Sequence, residues 1–227
     1  MSFYKEVTGY LIHQRNFKDS SLIIEFFSKE YGMLHLIVKG IKKNKLLKSQ
    51  LQFFHLLKIQ FYGKSQLKTV VSVNSIQAIN LKGLIEKSAG FYLNELIHYS
   101  LVENEVAESL IHCYADVLSQ LGHSKLAPLL RNFERNLLKY NGFELTVDTY
   151  NQNDMWLGVD DSIGVNKAVN ASQKLCTVED LKKFINNDNL DRDTQKRINK
   201  VMIKLIDMSI SYKRLYSREL LISLTKK

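Results

Sequence analysis

The spacing of apolar residues changes its period once along this chain, near residue 80, and that change limits the folds open to it. Before the change, apolar and polar residues tend to alternate; after it, apolar residues recur every third or fourth position. The first part reads as five strands, Lys5–His13, Ser20–Ser28, Tyr31–Lys39, Gln52–Tyr62 and Leu67–Val73, rich in β-branched and aromatic side chains. Turn-forming residues separate them at Asn16 to Asp19, Glu30-Tyr31-Gly32 and Gly63-Lys64-Ser65. Leu22, Ile24 and Phe26 share one face, as do Phe53, Leu57, Ile59 and Phe61. So many short strands in so short a span predict a closed barrel, because closure removes edges that a small open sheet would expose. An SH3-like barrel gives a similar string. The five-stranded OB-fold is preferred because the long loop between strands three and four has room in it.

The second part predicts helices. Phe91, Leu96, Ile97 and Leu101 fit one apolar stripe, and a run from Val106 to Leu121 stops at Gly122. A third helix runs from Ser124, with Pro128 in its early turns, to Asn141-Gly142. Residues 143–176, with Trp156, Gly158 and Gly164, are irregular and fit a short hairpin. Thr177-Val178-Glu179-Asp180 matches a capping signature and predicts a short helix to about Asn186. A long helix, Asp191 to Tyr212, and a short one, Ser217 to Leu224, follow. The expected class is α+β: an OB-fold barrel over residues 1–80, then an α-helical bundle over 81–227, with the boundary near 76 to 84.

Charge is distributed unevenly. The net charge is +9, and between Tyr31 and Ile85 there is no Asp or Glu, while that stretch holds nine lysines. The whole surplus therefore lies in it, and the rest of the chain balances. A one-signed surface repels itself, and its natural compensation is a polyanion whose counterions the lysines replace. The densest cluster is VKGIKKNKLLKSQ, residues 38–50, whose Gly40 and Asn44 read as a mobile loop. The candidate nucleic-acid contacts are Arg15 and Lys18 near the first turn, and Lys39, Lys42, Lys43, Lys45 and Lys48 in the loop. Phe54, Lys58, Tyr62 and Lys64 on and after the fourth strand complete the set. Aromatics interleaved with lysine suit a single-strand groove, where rings stack on bases and ammonium groups meet phosphates. Core packing explains Phe54 equally simply, and an acidic membrane surface or a merely solvated loop would also account for the lysines.

Catalytic signatures are missing. There is no phosphate-binding glycine loop, nucleophile elbow or H-E-x-x-H, and the six histidines show no ligand spacing. The acid-free stretch offers no carboxylates for two-metal chemistry. Cys113 and Cys176 have no partner at zinc-knuckle spacing and read as buried thiols of a reducing compartment. The start of the chain lacks a secretion signal, and no stretch approaches the roughly 20 apolar residues of a membrane span. The expectation is a cytoplasmic protein that is not an enzyme, holds no metal or cofactor, and does not bind membrane.

Several stretches, in order, resemble the bacterial recombination mediator family RecO: GYLIHQRNFKDSSLIIEFFSKEYGMLHLIVKG at the start, then LQFFHLLKIQFYGKSQL, with Phe53 where that family commonly has proline. In the helical part, FYLNELI, LLRNFERNLLKYNGF and YKRLYSRELL are similar to its helices. Some members carry a four-cysteine zinc site after the LLKYNGF region; this chain has only Cys176 there, so zinc is not expected. The resemblance implies binding of single- and double-stranded DNA, annealing of complementary strands, and help in loading recombinase onto DNA covered by single-strand-binding protein (SSB). It implies RecR and the acidic C-terminal tail of SSB as partners, with the recombinase RecA served indirectly. For that tail, Arg131, Arg135 and Lys139 form a four-spaced basic stripe with Leu138 beside it, and Arg192, Lys196, Lys200 and Lys204 form a second. Solvated helix faces would give the same stripes. A protein-binding adaptor without primary DNA affinity, or an RNA-binding OB protein, are the alternative readings, since phosphate contacts ignore the sugar.

Overall fold

A computed structural model describes residues 4–63, 65–147, 155–161 and 164–225. They divide into two compact units, Met1–Phe133 with Leu215–Lys227, and Glu134–Arg214.

The first unit contains the barrel. Strands β1 (Lys5–Phe17), β2 (Ser21–Ser28), β3 (Gly32–Val38), β4 (Leu56–Tyr62) and β5 (Lys68–Gln77) close in the order β1-β2-β3-β5-β4. β3 and β5 run parallel and meet at Leu36↔Lys68 and Ile37↔Thr69; the other neighbours are antiparallel. This is the OB-type barrel expected from the sequence. The alternation works as read: Ile24 and Phe26, then Leu57, Ile59 and Phe61, point inward with Val7, Leu11, Leu34, Leu36 and Val38. Each such side chain contributes about 1.5–3 kcal/mol through burial.

Three boundaries differ from the sequence reading. β1 runs on to Phe17, because its ladder with β2 continues through Asn16↔Leu22 and Phe17↔Ser21. The expected fourth strand loses Gln52 to His55, where the chain turns at Phe53-Phe54, and the fifth gains residues through Gln77. The loop read as mobile contains a helix, α1 (Lys45–Gln50), because the Asn44 side-chain oxygen accepts the Leu47 amide at 2.9 Å.

Helices α2 (Leu84–Ser100), α3 (Glu108–Gln120), the first half of α4 (Leu126–Tyr140) and α7 (Tyr216–Thr225) belong to the same unit. The change from strand to helix between Gln77 and Leu84 falls where the sequence placed its boundary. The compact unit nevertheless continues past it, since α2 is bonded to the barrel. A bulge in β1 between Leu11 and His13 interrupts the ladder with β2. The buried Asn94 of α2 donates its amide to the carbonyls of Ile12 (3.0 Å) and Leu11 (3.5 Å). Tyr114 of α3 donates its hydroxyl to the Asn94 side-chain oxygen at 2.7 Å, and its ring meets Tyr10 edge-on at 5.0 Å.

In the second unit, β6 (Trp156–Asp160), β7 (Gly164–Lys167) and β8 (Cys176–Thr177) form a sheet in the order β7-β6-β8, so the expected hairpin has a third strand. The capping signature works as read. Thr177 and Asp180 form a reciprocal capping box at the start of α5 (Val178–Ile185). Asp180 also accepts both arms of the Arg197 guanidinium, at 2.7 and 2.8 Å, and the Thr194 hydroxyl at 3.1 Å. Those two residues lie on α6 (Arg192–Ser209), whose N-cap is Asp191. Burial alone would raise the Asp180 carboxyl. The Arg197 fork and the Thr177 donors outweigh it and bring it from 3.8 down to about 2.

Arg197→Ala is expected to destabilise this unit by about 2 kcal/mol, since it leaves a buried carboxylate without its cation. Because the folded value lies below the ordinary one, the pair's contribution is complete above about pH 4 and fades as pH falls through about 2. Denaturant melts of wild type and variant should differ at pH 7 and converge near pH 2. Equal stability at pH 7 would show that the pair contributes nothing.

Candidate nucleic-acid interface

The lysine-rich segment is anchored rather than loose. Ile41, Leu47 and Leu51 are packed with the barrel core, which fixes the segment between β3 and β4 along its inner side. Lys39, Lys42, Lys43, Lys45 and Lys48 are left exposed. Leu47 and Leu51, four apart, are the signal that would have shown an anchored helix instead of a mobile loop.

The β1–β2 hairpin brings its own cations to this end of the barrel. The register Leu22↔Val38 sets the end of β3 beside the start of β2, and the Lys42 backbone amide donates to the Ser20 carbonyl at 3.5 Å. Lys18, in the hairpin turn, adopts φ 52° and holds its ammonium 5.5 Å from the centre of the Phe17 ring. Arg15 and Lys18 are exposed, so the fold joins them with Lys39, Lys42 and Lys43 into one surface in which Asp19 is an acidic neighbour.

The fourth-strand candidates are placed differently. Lys58 points outward but pairs with Glu6 of β1 at 2.8 Å, and that hydrogen bond holds the Glu6 carboxyl below its ordinary range. Tyr62 is exposed, edge-on to Tyr4 with ring centres 6.1 Å apart. Lys64 lies outside the described residues. Phe54 corrects the stacking reading: it precedes β4, has φ 66°, and is 7% exposed. Its ring packs on Phe91 (5.0 Å) and Phe53 (6.1 Å). A Cβ placed on Gly90 would lie 2.7 Å from the Phe54 ring, so the glycine admits the aromatic against α2. Phe54 is a core residue.

The first tail-binding stripe is also revised. Leu138 is fully buried and cannot serve as an exposed apolar contact among cations. The buried face of α4 is two residues wide, Phe133 and Glu134 followed by Leu137 and Leu138. Arg135 donates to the Ile185 carbonyl (3.2 Å), the Phe184 carbonyl (3.5 Å) and the Asn187 side chain (3.0 Å), closing the C-terminus of α5. Its guanidinium also lies 5.1 Å from the Phe184 ring centre. Lys139 pairs with Glu144 at 2.7 Å, and Arg131 is half-buried. On α6, Lys196 pairs with Asp193 at 3.1 Å, and both Lys196 and Lys200 are exposed.

The outward face of β2 and β3, which many OB barrels use for oligonucleotides, is closed here. Ile23, Phe27, Met33 and Ile37 point outward yet are buried. The polar exceptions form a cluster the sequence did not reveal: His13, Glu25 and His35 side by side on β1, β2 and β3, with His98 of α2 and Glu103 beside them. The His98 ring nitrogen and Glu25 are 2.5 Å apart, and this hydrogen bond raises the His98 pKa. Desolvation lowers that of His13. Burial would raise Glu25, but the His98 hydrogen bond and the neighbouring imidazoles bring it below its ordinary value. Strand register was the missing signal, for it pairs His13 with Glu25 and Glu25 with His35.

The class the fold defines is an OB-type barrel with a cationic end, followed by helices. Residues 1–79 match the family described as Recombination protein O N terminal. Similarity to proteins named DNA repair protein RecO extends over nearly the whole chain. The Marinobacter nauticus protein is 27% identical over 225 residues, covering 93% of this chain and 92% of the relative. The Cellvibrio japonicus protein is 36% identical over 140 residues, 60% and 59% of the two chains. The Aromatoleum aromaticum protein is 31% identical over 141 residues, 62% and 59%. In the last two, the match thus spans less than two thirds of the relative's length. No helix among the described residues is long and apolar enough to cross a membrane.

Replacing Phe54 with Ala should lower stability by about 3 kcal/mol, as expected for emptying a packed aromatic site. DNA affinity of the folded fraction should be unchanged. A variant that melts like wild type but loses single-strand affinity would restore the stacking role.

Proposed function

We propose that this chain is a cytoplasmic, non-enzymatic mediator of DNA repair and recombination. It binds single- and double-stranded DNA through the barrel, anneals complementary strands, and helps load recombinase onto SSB-coated DNA. The observation that carries this reading is the anchored cationic surface made by Arg15, Lys18, Lys39, Lys42, Lys43, Lys45 and Lys48. The family of residues 1–79 and the name borne by the relatives support it. Physically, annealing needs little more than such a surface. Lysines that neutralise phosphates on two strands remove the repulsion opposing their pairing, with no covalent step.

The helical part is the partner-binding part, with RecR and the SSB tail as partners and RecA served indirectly. Since Arg135 and Leu138 are engaged internally, the cations assigned to the acidic tail are Lys196 and Lys200 on α6.

Lys42→Ala with Lys43→Ala and Lys45→Ala should weaken DNA binding. The log affinity against log salt should flatten by about 2 to 3, close to one unit per lost phosphate contact. Fluorescence anisotropy of labelled DNA at several salt concentrations measures this, and an unchanged slope would remove the loop from the interface. Lys196→Ala with Lys200→Ala should weaken binding of an SSB-tail peptide several-fold while leaving DNA affinity in place. Retained peptide affinity would place the tail elsewhere.

A further inference from the structure

We propose that His13, Glu25 and His98 form a binding site for a divalent transition-metal ion of the zinc type, on the outer face of the barrel beside α2. Three elements supply it. His13 and Glu25 are directly opposed across β1 and β2, and His98 comes from the last turn of α2. The β1 bulge ends at His13, and bulges of this kind re-aim the side chain that follows them. The His13 and His98 rings lie stacked, with centres 4.7 Å apart and planes 27° apart, so both imidazoles flank the same carboxylate.

The distances suit a metal ion. One ligand atom from each residue lies within 4.8 Å of the other two. An ion bound at about 2.0–2.2 Å by nitrogen and oxygen sets its tetrahedral ligands roughly 3.4 Å apart. His13 Nδ1 already stands 3.7 Å from Glu25 Oε1. His98 Nδ1, 2.5 Å from Oε2, has to open by about an ångström and give up any shared proton, which the ion replaces.

The surroundings fit as well. His35 Nε2 lies 3.9 Å from Glu25 Oε1, and its Nδ1 lies 3.4 Å from Glu103 Oε1, which is buried without a hydrogen bond. This is the outer row that orients a metal-binding carboxylate. Three imidazoles compete for Glu25, and an ion would let two of them and the carboxylate bind at once. A cavity of about 410 Å³, lined by Asn94, Glu95, Tyr99 and Phe91 among others, opens onto the two histidine ligands, His13 and His98. It gives the ion an entry path and room for a water as fourth ligand. Two imidazoles and one carboxylate are the donor set of zinc and its neighbours rather than of calcium or magnesium, which prefer oxygen alone. Bound there, the ion would tie β1 and β2 to α2.

The test uses the full, untagged chain. Co²⁺ is titrated while the visible absorption of tetrahedral cobalt is followed, and Zn²⁺ is then used to displace it, with calorimetry giving the stoichiometry. One ion per chain is expected, with Zn²⁺ displacing Co²⁺. His13→Ala and His98→Ala should each weaken binding at least tenfold, and His35→Ala should weaken it less. His13 has a side chain 46% exposed, so its removal leaves the fold intact and keeps the test valid if the His98 variant proves unstable. A Zn²⁺-dependent rise in melting temperature should appear in wild type and vanish in His13→Ala. Cobalt spectra without tetrahedral bands, or binding that is the same in His13→Ala as in wild type, would overturn the proposal.

Discussion

The first unit depends on how the break in β1 is satisfied. At the bulge between Leu11 and His13 two carbonyls, of Leu11 and Ile12, are turned to α2 on a largely buried face. Unpaired, they would cost on the order of 1–3 kcal/mol each. Asn94 takes both, and Tyr114 completes Asn94, so one buried polar network fixes α2 and α3 against the barrel. Once those helices lie there, the outward residues Ile23, Phe27, Met33 and Ile37 can be apolar, and the β2–β3 face is no longer open to an oligonucleotide.

In the proposed function, that closure directs the nucleic acid to the barrel's end. The cations of the β1–β2 turn and of the segment around α1 are joined by strand register and by the Lys42–Ser20 backbone bond. Their backbone is held by Ile41, Leu47 and Leu51. A cationic, mostly acid-free surface can hold phosphates without reading bases, as the proposed function requires. Lys58, neutralised by Glu6, and Phe54, buried against α2, stand outside this surface.

Much of the fold was legible in the sequence, because its signals are local. Alternation in Leu22, Ile24 and Phe26 described an inward face, and Thr177 with Asp180 announced a helix start. The errors arose where a distant contact overrides a local pattern. Phe54 continues the aromatic run of the fourth strand in sequence, but Gly90, far along the chain, leaves a slot that draws it into the core. Leu138 sits beside a basic stripe by spacing, yet the buried face of α4 is wide enough to include it. Arg135 looked like a surface cation until α5 brought its C-terminal carbonyls within reach. The histidine and carboxylate cluster was invisible for the same reason, since only strand pairing makes neighbours of residues so far apart in sequence.

The central claim is that DNA lies on the barrel's cationic end and not on its β2–β3 face. Hydrogen exchange of backbone amides, with and without a short single-stranded DNA, tests it most directly. The account predicts new protection confined to residues 15–20 and 39–50, with β2 and β3 unchanged. Protection across Ile23–Phe27 and Met33–Ile37, with the lysine segment exchanging as before, would contradict it.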